Sequence, residues 1–414
     1  MKSFLPCVLL LAACPDPEPP CEPKPVIRGP WTTGLHARQA EVRWETAEEG
    51  CGGLRFGADA TENWAASLSS STHAIVRTIE VGTGVLDPPD LPGTSYQHRV
   101  TISNLEPNRC FSYQISQTSR SHKGRFCTAA ETTDETTVFA VIGDTNPVLG
   151  HTELLYGPMA AARPQAILHL GDIQYYASII ETWAAWFERT KGLLAIAPIL
   201  PVVGNHEFEA VGGPVSEEDS DPTEYTEYFL PLWGDHGHPH LGNNYSVRNA
   251  GILYIFADSE TDDGLAIWDQ PGTDWLAQTL TTAEATAGHS FSVLMFHRPV
   301  YTRSKYSAGL GRRNQLEQML AGHKVPLIMT GHAHCYERFD VNGRTVIVSG
   351  GGGAIPHRCD REHEDPVLSA ELASMQQTTF SGYHWVKLSQ TSAGLAGEAI
   401  AEDGTILDRW EVRP

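Results

Sequence analysis

Positive charge is scarce in this 414-residue chain: 29 Lys and Arg stand against 50 Asp and Glu, a formal net charge of −21. Such a field repels polyanions over most of the surface and excludes nucleic acid as an expected partner. A small anion would have to be drawn by cations held in a pocket, which favours a metal site. No two cysteines stand in a CxxC spacing, so a cysteine-based metal site is not expected. A GxSxG elbow is missing too, and with it the usual signature of a serine nucleophile. The glycine run Gly350 to Gly353 lacks the Lys and Ser or Thr of a phosphate-binding P-loop and reads as a strand end. The apolar stretch Phe4 to Ala13 is too short to stay in a bilayer as a spanning helix.

Lys2 followed by that short stretch reads as an export signal over residues 1–13 and is set aside from fold reasoning. Leu11, Ala12, Ala13 and Cys14 resemble a bacterial lipobox, in which Cys14 is lipidated and anchors the chain to a membrane; the other reading is an ordinary cleavage site and a secreted chain. Prolines 15, 17, 19, 20, 23 and 25 make residues 14–25 a stiff tether that cannot pack into a core. Beyond Cys7 and Cys14, six cysteines remain, an even number suited to disulfides in an oxidising compartment. A hairpin would join Cys110 to Cys127. Cys335 with Cys359, and Cys21 with Cys51, complete one of the pairings that six cysteines allow.

The length and the 41% apolar content suit two domains with sizeable cores. Over residues 26–130 short alternating segments, such as Glu41 to Trp44, Ile75 to Val81 and His98 to Ile102, are separated by Gly, Pro and Asn turns, the pattern of an all-β sandwich. Leu105, Glu106 and Pro107 before Cys110, Phe111 and Tyr113 resemble the corner of a fibronectin type III-like module. The histidines here (His36, His73, His98, His122) are scattered, and the domain reads as a scaffold. A polar linker, Glu131 to Thr137, follows.

From residue 138 to 414 buried apolar runs alternate with helical periodicity, an α/β pattern. Ile179, Ile180, Trp183, Trp186 and Phe187 share one helix face; Leu316, Met319 and Leu320 share another. The strand ends carry the information. Val138 to Ile142 runs into Gly143 and Asp144; Ala166 to Leu170 into Gly171 and Asp172; Ile199 to Val203 into Gly204, Asn205 and His206. Phe291 to Phe296 ends at His297, and Val325 to Thr330 at Gly331, His332, Ala333 and His334. Open α/β sheets bind ligands beyond the carboxyl ends of their strands. A single Gly-Asp pair is ordinary turn chemistry and Asn-His can cap a helix. Five such ends in succession are not, because turns have no need of imidazole.

This motif series (GD, GDxxY, GNHE, a lone His after a strand, GHxH) resembles the calcineurin-like metallophosphoesterases. Tyr175, the extension Cys335, Tyr336, Glu337, Arg338 after GHxH, and the preceding sandwich resemble the purple acid phosphatase branch. The resemblance implies an αββα sandwich that hydrolyses small phosphate monoesters by hydroxide at a dinuclear site. It assigns Asp144, Asp172, Tyr175 and His334 to the first metal, and Asp172, Asn205, His297 and His332 to the second. Carboxylate and phenolate oxygens suit a hard ion such as Fe(III), and the amide and imidazole set suits Zn, Mn or Fe(II). His206 resembles an outer-sphere catalytic histidine, with a second reading as a group that orients a ligand. Glu207 is expected to hold His206 or a ligand in place.

After His297 the sequence departs from that branch. Its plant and animal members carry another histidine shortly downstream, whereas here the stretch from Arg298 to Tyr306 has none, leaving Tyr306 or Lys305 as substitutes or the acid role to another element. His236, His238 and His240 read as an exposed loop rather than a third metal site, and Glu217, Glu218, Asp219 and Asp221 as a solvated one. Trp183, Trp186 and Trp275 read as core. Two other functions stand beside the monoesterase: a phosphodiesterase with the same metal clamp, and a non-catalytic surface lipoprotein, which decayed ligand positions would mark.

Overall fold

The computed structural model describes residues 22–58, 64, 66–80, 88–115, 122–132, 136–175, 182–208, 222–234, 238, 240–260, 264–361 and 366–414. The export signal, Cys14, Cys21, Ile179, Ile180, His236 and the acidic stretch from Glu217 to Asp221 lie outside them.

The strands from Val26 to Cys127 form two four-stranded antiparallel sheets. One runs Val26–Thr33, Gln39–Thr46, Gly93–Ser103, Ser71–Arg77; the other Ala66–Ser69, Gly53–Ala58, Cys110–Ile115, His122–Cys127. Alternate residues (Val42, Trp44, Val100, Ile102, Tyr113, Ile115) turn inward to one core. Cys110 and Cys127 face each other across the hairpin and form a disulfide, as do Cys335 and Cys359.

Two larger sheets follow. The six-stranded one carries parallel strands Thr137–Ile142, Ala166–His169 and Ile199–Pro201, extended by the antiparallel C-terminal strands His384–Thr391, Gly394–Ala401 and Ile406–Val412. The eight-stranded one carries Ile252–Phe256, Phe291–Met295, Leu327–Thr330 and Arg344–Ser349 in parallel. The central parallel strands are buried on both faces, which is why they read as continuous apolar runs.

One core, with Phe139, Leu168, Tyr254, Val293 and Met329, fills the space between the sheets. A second lies between the six-stranded sheet and the helices His151–Ala161 and Trp183–Leu194, where Trp183, Trp186 and Phe187 are buried. The third packs the other sheet against Gln270–Ala285 and Leu310–Met319 through Leu276, Leu280, Leu316 and Leu320, with Trp275 and Met319 against it. Helices outside, two sheets within, give the four α/β layers.

The sandwich is joined to these layers through buried charge. Glu45, fully enclosed, accepts from Arg28 and from both Nη atoms of Arg77, and the two guanidiniums lie over the Tyr228 ring at 5.6 and 4.6 Å. Tyr228 belongs to the π-helical segment Tyr225–Gly234, whose carbonyls also take bonds from Trp31, Arg43 and Gln97. Asp90 accepts from the backbone N–H groups of Trp183 and Ala184, capping the helix that begins there. Burial opposes charge on Glu45, but Arg77 and Arg28 hold its carboxyl below the usual range.

Removing Glu45 would strand two buried guanidiniums. Glu45→Ala is expected to destabilise the protein by about 3–5 kcal/mol, the range for breaking a buried ion pair on one side. Urea unfolding measures it, and a loss below about 0.5 kcal/mol would show that the cluster is not held as described.

Candidate metal centre

The five strand ends predicted from sequence meet at one point. Three of the residues there, Asp144, Asp172 and His332, adopt left-handed backbone with φ of 58°, 51° and 64°. For non-glycine residues this conformation is costly, on the order of 1–3 kcal/mol each, and persists only where the surroundings enforce it. It turns each side chain off the strand axis and into the shared pocket. The glycines before them are needed for closeness: a Cβ on Gly171 would collide with the His297 ring, and one on Gly331 would lie 2.6 Å from the Leu170 carbonyl oxygen and 2.7 Å from Asp144 Oδ2.

Two overlapping donor groups result. Asp172, His297 and His332 offer ligand atoms within 4.8 Å of one another, and so do Asp144, Asp172 and His334; Asp172 is common to both. Asn205 Oδ1 lies 3.2 Å from His297 Nε2, which places it with the first group. The Tyr175 hydroxyl lies 2.9 Å from His334 Nε2 and 3.5 Å from Asp144 Oδ1, which places it with the second. All seven residues named from the motifs are thus in one pocket.

Tautomers settle what the pocket needs. His297 Nδ1 lies 2.7 Å from the Leu170 carbonyl, which can only accept, so the proton is on Nδ1 and the Nε2 lone pair points away from it. That lone pair lies 3.2 Å from Asp172 Oδ2 and 3.2 Å from Asn205 Oδ1. Asp172 Oδ2 is buried and has no hydrogen-bond partner among the described residues. Three electron-rich atoms therefore converge, and a cation must lie among them: a second proton on the ring or a metal ion. Burial alone would keep the ring neutral, yet Asp172 raises its pKa to about 10. His334 repeats the pattern, with Nδ1 donating to Ile355 O at 2.8 Å and Nε2 turned to Tyr175 and Asp144. The donor set fits two cations sharing Asp172, oxygen-rich on one side and imidazole-rich on the other.

Glu207 organises the strand ends. Its buried carboxylate accepts from the backbone N–H groups of Asp172, Ile173 and Gly204, tying the GDxxY loop to the GNHE loop. Of the two expectations for it, His206 or a ligand, it meets the second: it holds Asp172 through the backbone. His206 donates its backbone N–H to Asp172 Oδ1 at 3.0 Å, and its ring packs on Tyr175 with centroids 4.1 Å apart. It stands beside the donors, half-buried.

A histidine that sequence reasoning passed over also reaches the pocket. His357 stacks on His334 at 3.9 Å and on Tyr306 at 4.3 Å, and its Nδ1 accepts from the His334 backbone N–H. Tyr306 in turn meets the edge of His332 at 5.6 Å. Lys305 is exposed, with its ammonium over the Tyr306 ring. The Cys335–Cys359 disulfide folds the His357 loop back over the strand end, and the pairing was the one signal that could have located it. His238 stacks on His36 and accepts from Leu35 N–H, while His240 bonds Gly242; neither enters a metal-type group among the described residues.

With this geometry in view, the comparisons with known proteins are specific. Residues 137–336 match the calcineurin-like phosphoesterase family. That segment is therefore a calcineurin-like metallophosphoesterase domain. Its curated relatives are purple acid phosphatases: Fe(3+)-Zn(2+) purple acid phosphatase 12 of Arabidopsis thaliana is 26% identical over 269 residues, 59% of this chain and 52% of that protein. Phosphoenolpyruvate phosphatase of Allium cepa is 26% identical over 260 residues, 59% and 51%. The chain spans about half the length of the curated relatives it matches. Among solved structures, purple acid phosphatase PPD1 from Lupinus luteus seeds superposes with a TM-score of 0.68 at 16% identity, over 94% of this chain and 74% of that one. The structure of PhoD gives 0.65 at 12%, over 95% and 90%. These two structures share the fold over nearly the whole chain.

Glu337 governs the loop that faces the pocket. Its buried carboxylate accepts from Thr302 Oγ1, from the Arg303 backbone N–H at 2.9 Å and from the Gln376 amide at 2.8 Å. Burial nevertheless raises its pKa from 4.5 to about 7. The folded chain thus holds this proton more tightly than the unfolded one. The associated stability is complete below pH 4.5 and lost as pH rises through about 7. Relative to Glu337→Gln, whose amide does not titrate, the wild-type chain is expected to lose on the order of 3 kcal/mol between about pH 4.5 and 8. Denaturant unfolding of both proteins across that range measures it; a pH-independent difference would mean that Glu337 stays ionised.

Proposed function

We propose that this chain is a metal-dependent phosphatase that hydrolyses small phosphate monoesters at a dinuclear centre. The observation that carries the reading is the pair of donor groups sharing Asp172, whose buried Oδ2 lacks a hydrogen-bond partner among the described residues while His297 Nε2 and Asn205 Oδ1 converge beside it. Asp144, Asp172, Tyr175 and His334 would hold one ion, for which the phenolate-carboxylate set suits Fe(III). Asp172, Asn205, His297 and His332 would hold the other, suited to Zn, Mn or Fe(II). When bound, such a pair lowers the pKa of water and clamps the attacking and leaving oxygens of a displacement at phosphorus.

The chain's own groups do the rest. Nδ1 contacts to backbone carbonyls fix the His297 and His334 tautomers, so both rings present Nε2 lone pairs without reorganisation. The packing of His206 on Tyr175 beside Asp172 supports a role in bonding the phosphate or in passing a proton to the departing alkoxide. The names of the relatives support acid phosphatase activity, and one is named for Fe(3+) and Zn(2+). The N-terminal sheets support a fibronectin type III-like reading of the scaffold, and the two disulfides support export to an oxidising compartment; the lipobox-like run Leu11 to Cys14 supports a lipid anchor at Cys14.

Two variants separate holding metal from using it. Asp172→Asn is expected to lose metal and nearly all hydrolysis, whereas His206→Ala should keep both metals and lose about 10²-fold in rate. Metal analysis and turnover of a monoester decide. Full metal content in Asp172→Asn would refute the bridge, and an unchanged rate in His206→Ala would remove that residue from the chemistry.

The metal type has its own signature. A phenolate on Fe(III) absorbs in the visible, so ferric protein should be coloured and Tyr175→Phe colourless, with hydrolysis falling far less than in Asp172→Asn. A colourless wild-type protein containing ferric iron in an active centre would sink the phenolate assignment.

A further inference from the structure

Next to His297 in sequence, and beside the donor group in space, stands a cation that the metal-site reading does not use. Arg298 Nη1 lies 3.4 Å from His332 Nε2, on a ring that shares a donor cluster with Asp172 and His297. Its position is built in. Ser259 Oγ accepts from the backbone N–H groups of both His297 and Arg298 at 3.2 Å, and donates to Glu260 Oε1 at 2.7 Å. Glu260 Oε2 accepts from Arg298 Nε at 2.7 Å, and the Glu260 backbone N–H is held by Asp258 Oδ1. Ser259, Glu260, His297 and Arg298 thus form a closed ring of bonds that fixes a guanidinium against the pocket. The side chains of Arg298 and Glu260 are only 18% and 3% exposed, so this is not a pair that solvent screens away.

A surface ion pair does not need such a frame. Nor is the place a neutral one for a cation, because a metal held by His332 and His297 repels a guanidinium at this range. An anion lying between them removes the conflict and is attracted by both. In a chain of net charge −21, that combination is a strong local exception to the general field.

We infer that Arg298 is a specificity-determining residue that binds the non-bridging oxygens of a terminal phosphoryl group, so that the centre favours monoester dianions over diesters. The inference rests on the function proposed above and names what that site selects. Glu260 and Ser259 are positioning residues that act through the guanidinium. A fork of N–H donors matches a terminal phosphate, which offers more free oxygen edges and more charge than a diester.

The test uses metal-loaded full-length protein and orthophosphate as the probe. Calorimetric titration is done on the wild type, Arg298→Gln, Arg298→Lys and Glu260→Gln, each with metal counted per chain. Arg298→Gln is expected to keep both metals and to bind orthophosphate about 10- to 100-fold more weakly, the range of a lost charge-assisted hydrogen bond. Arg298→Lys should recover part of the affinity, because it restores charge without the fork. Glu260→Gln should weaken binding by a smaller factor. In kinetics, Arg298→Gln should raise KM for a phosphate monoester more than for its matched diester. Unchanged orthophosphate affinity in fully metallated Arg298→Gln overturns the assignment. So does loss of metal from both Arg298→Gln and Arg298→Lys, which would make the residue a prop for His332. Wild-type protein that takes up two metals yet binds no orthophosphate and cleaves no monoester overturns the function reading itself, a result distinguishable from either of those.

Discussion

Asp172 Oδ2 is the atom on which the site depends. It is a carboxylate oxygen buried in the domain, with no hydrogen-bond partner among the described residues and with His297 Nε2 3.2 Å away. Burying an ionised carboxylate costs several kcal/mol unless opposite charge is supplied. The surroundings do not relieve the cost by protonating Asp172: burial favours the neutral form, yet His297 and His206 hold its pKa well below the usual range. The proton demand passes to His297. A cation shared between the two carries that demand better than a proton, because it also draws on Asn205 and His332. The polar pocket and the apolar layers beneath it solve one problem, since the ends of five buried strands hold the carboxylate where water cannot neutralise it.

Holding Asp172 there has costs that fall on the backbone. Left-handed φ values at Asp144, Asp172 and His332 are unfavourable, and Glu207 offsets part of that by bonding three N–H groups that the turns leave free. The Glu207 carboxyl is itself raised to about 8, by burial first and by Asp172 next. The two loops are therefore tied by a group whose own charge is disfavoured. Such arrangements persist where the surrounding fold over-determines them, and the sheets do so here.

Much of this was legible in the sequence, for reasons that can be named. Parallel strands buried on both faces read as uninterrupted apolar runs, and their ends were found to within about two residues. The side chains that meet at the pocket follow those ends directly, so position and residue type pointed to the strand ends, and the resemblance named Asp144, Asp172, Asn205, His297, His332 and His334 among them. Groups acting from a distance in sequence could not. His357 follows no strand; it arrives because Cys359 is tied to Cys335, and the suggested pairing alone does not say which side chain the loop turns inward. Glu260 and Ser259 show no motif, since their role is to bond neighbouring backbone and one guanidinium. Glu207 was visible, but which groups its carboxylate bonds depends on two loops meeting.

The sandwich, read from sequence as a scaffold, is coupled to the pocket by a chain of buried bonds. Asp90, packed against Arg28 in the charge cluster, caps the helix beginning at Trp183. The indole N–H of Trp183 donates to Glu224 Oε1, and the same oxygen accepts from Gln174. Gln174 directly precedes Tyr175. Each of these polar groups is buried, so losing any bond in the series leaves an unpaired group that the core cannot hydrate, at about 1–3 kcal/mol. The turn that carries Tyr175 therefore cannot shift without disturbing the helix cap, and the cap cannot shift without disturbing Arg28 and Glu45. That turn carries the phenol oxygen that lies against His334 and Asp144. On that reasoning buried bonds run without a break from the N-terminal sheets to the residue that precedes Tyr175.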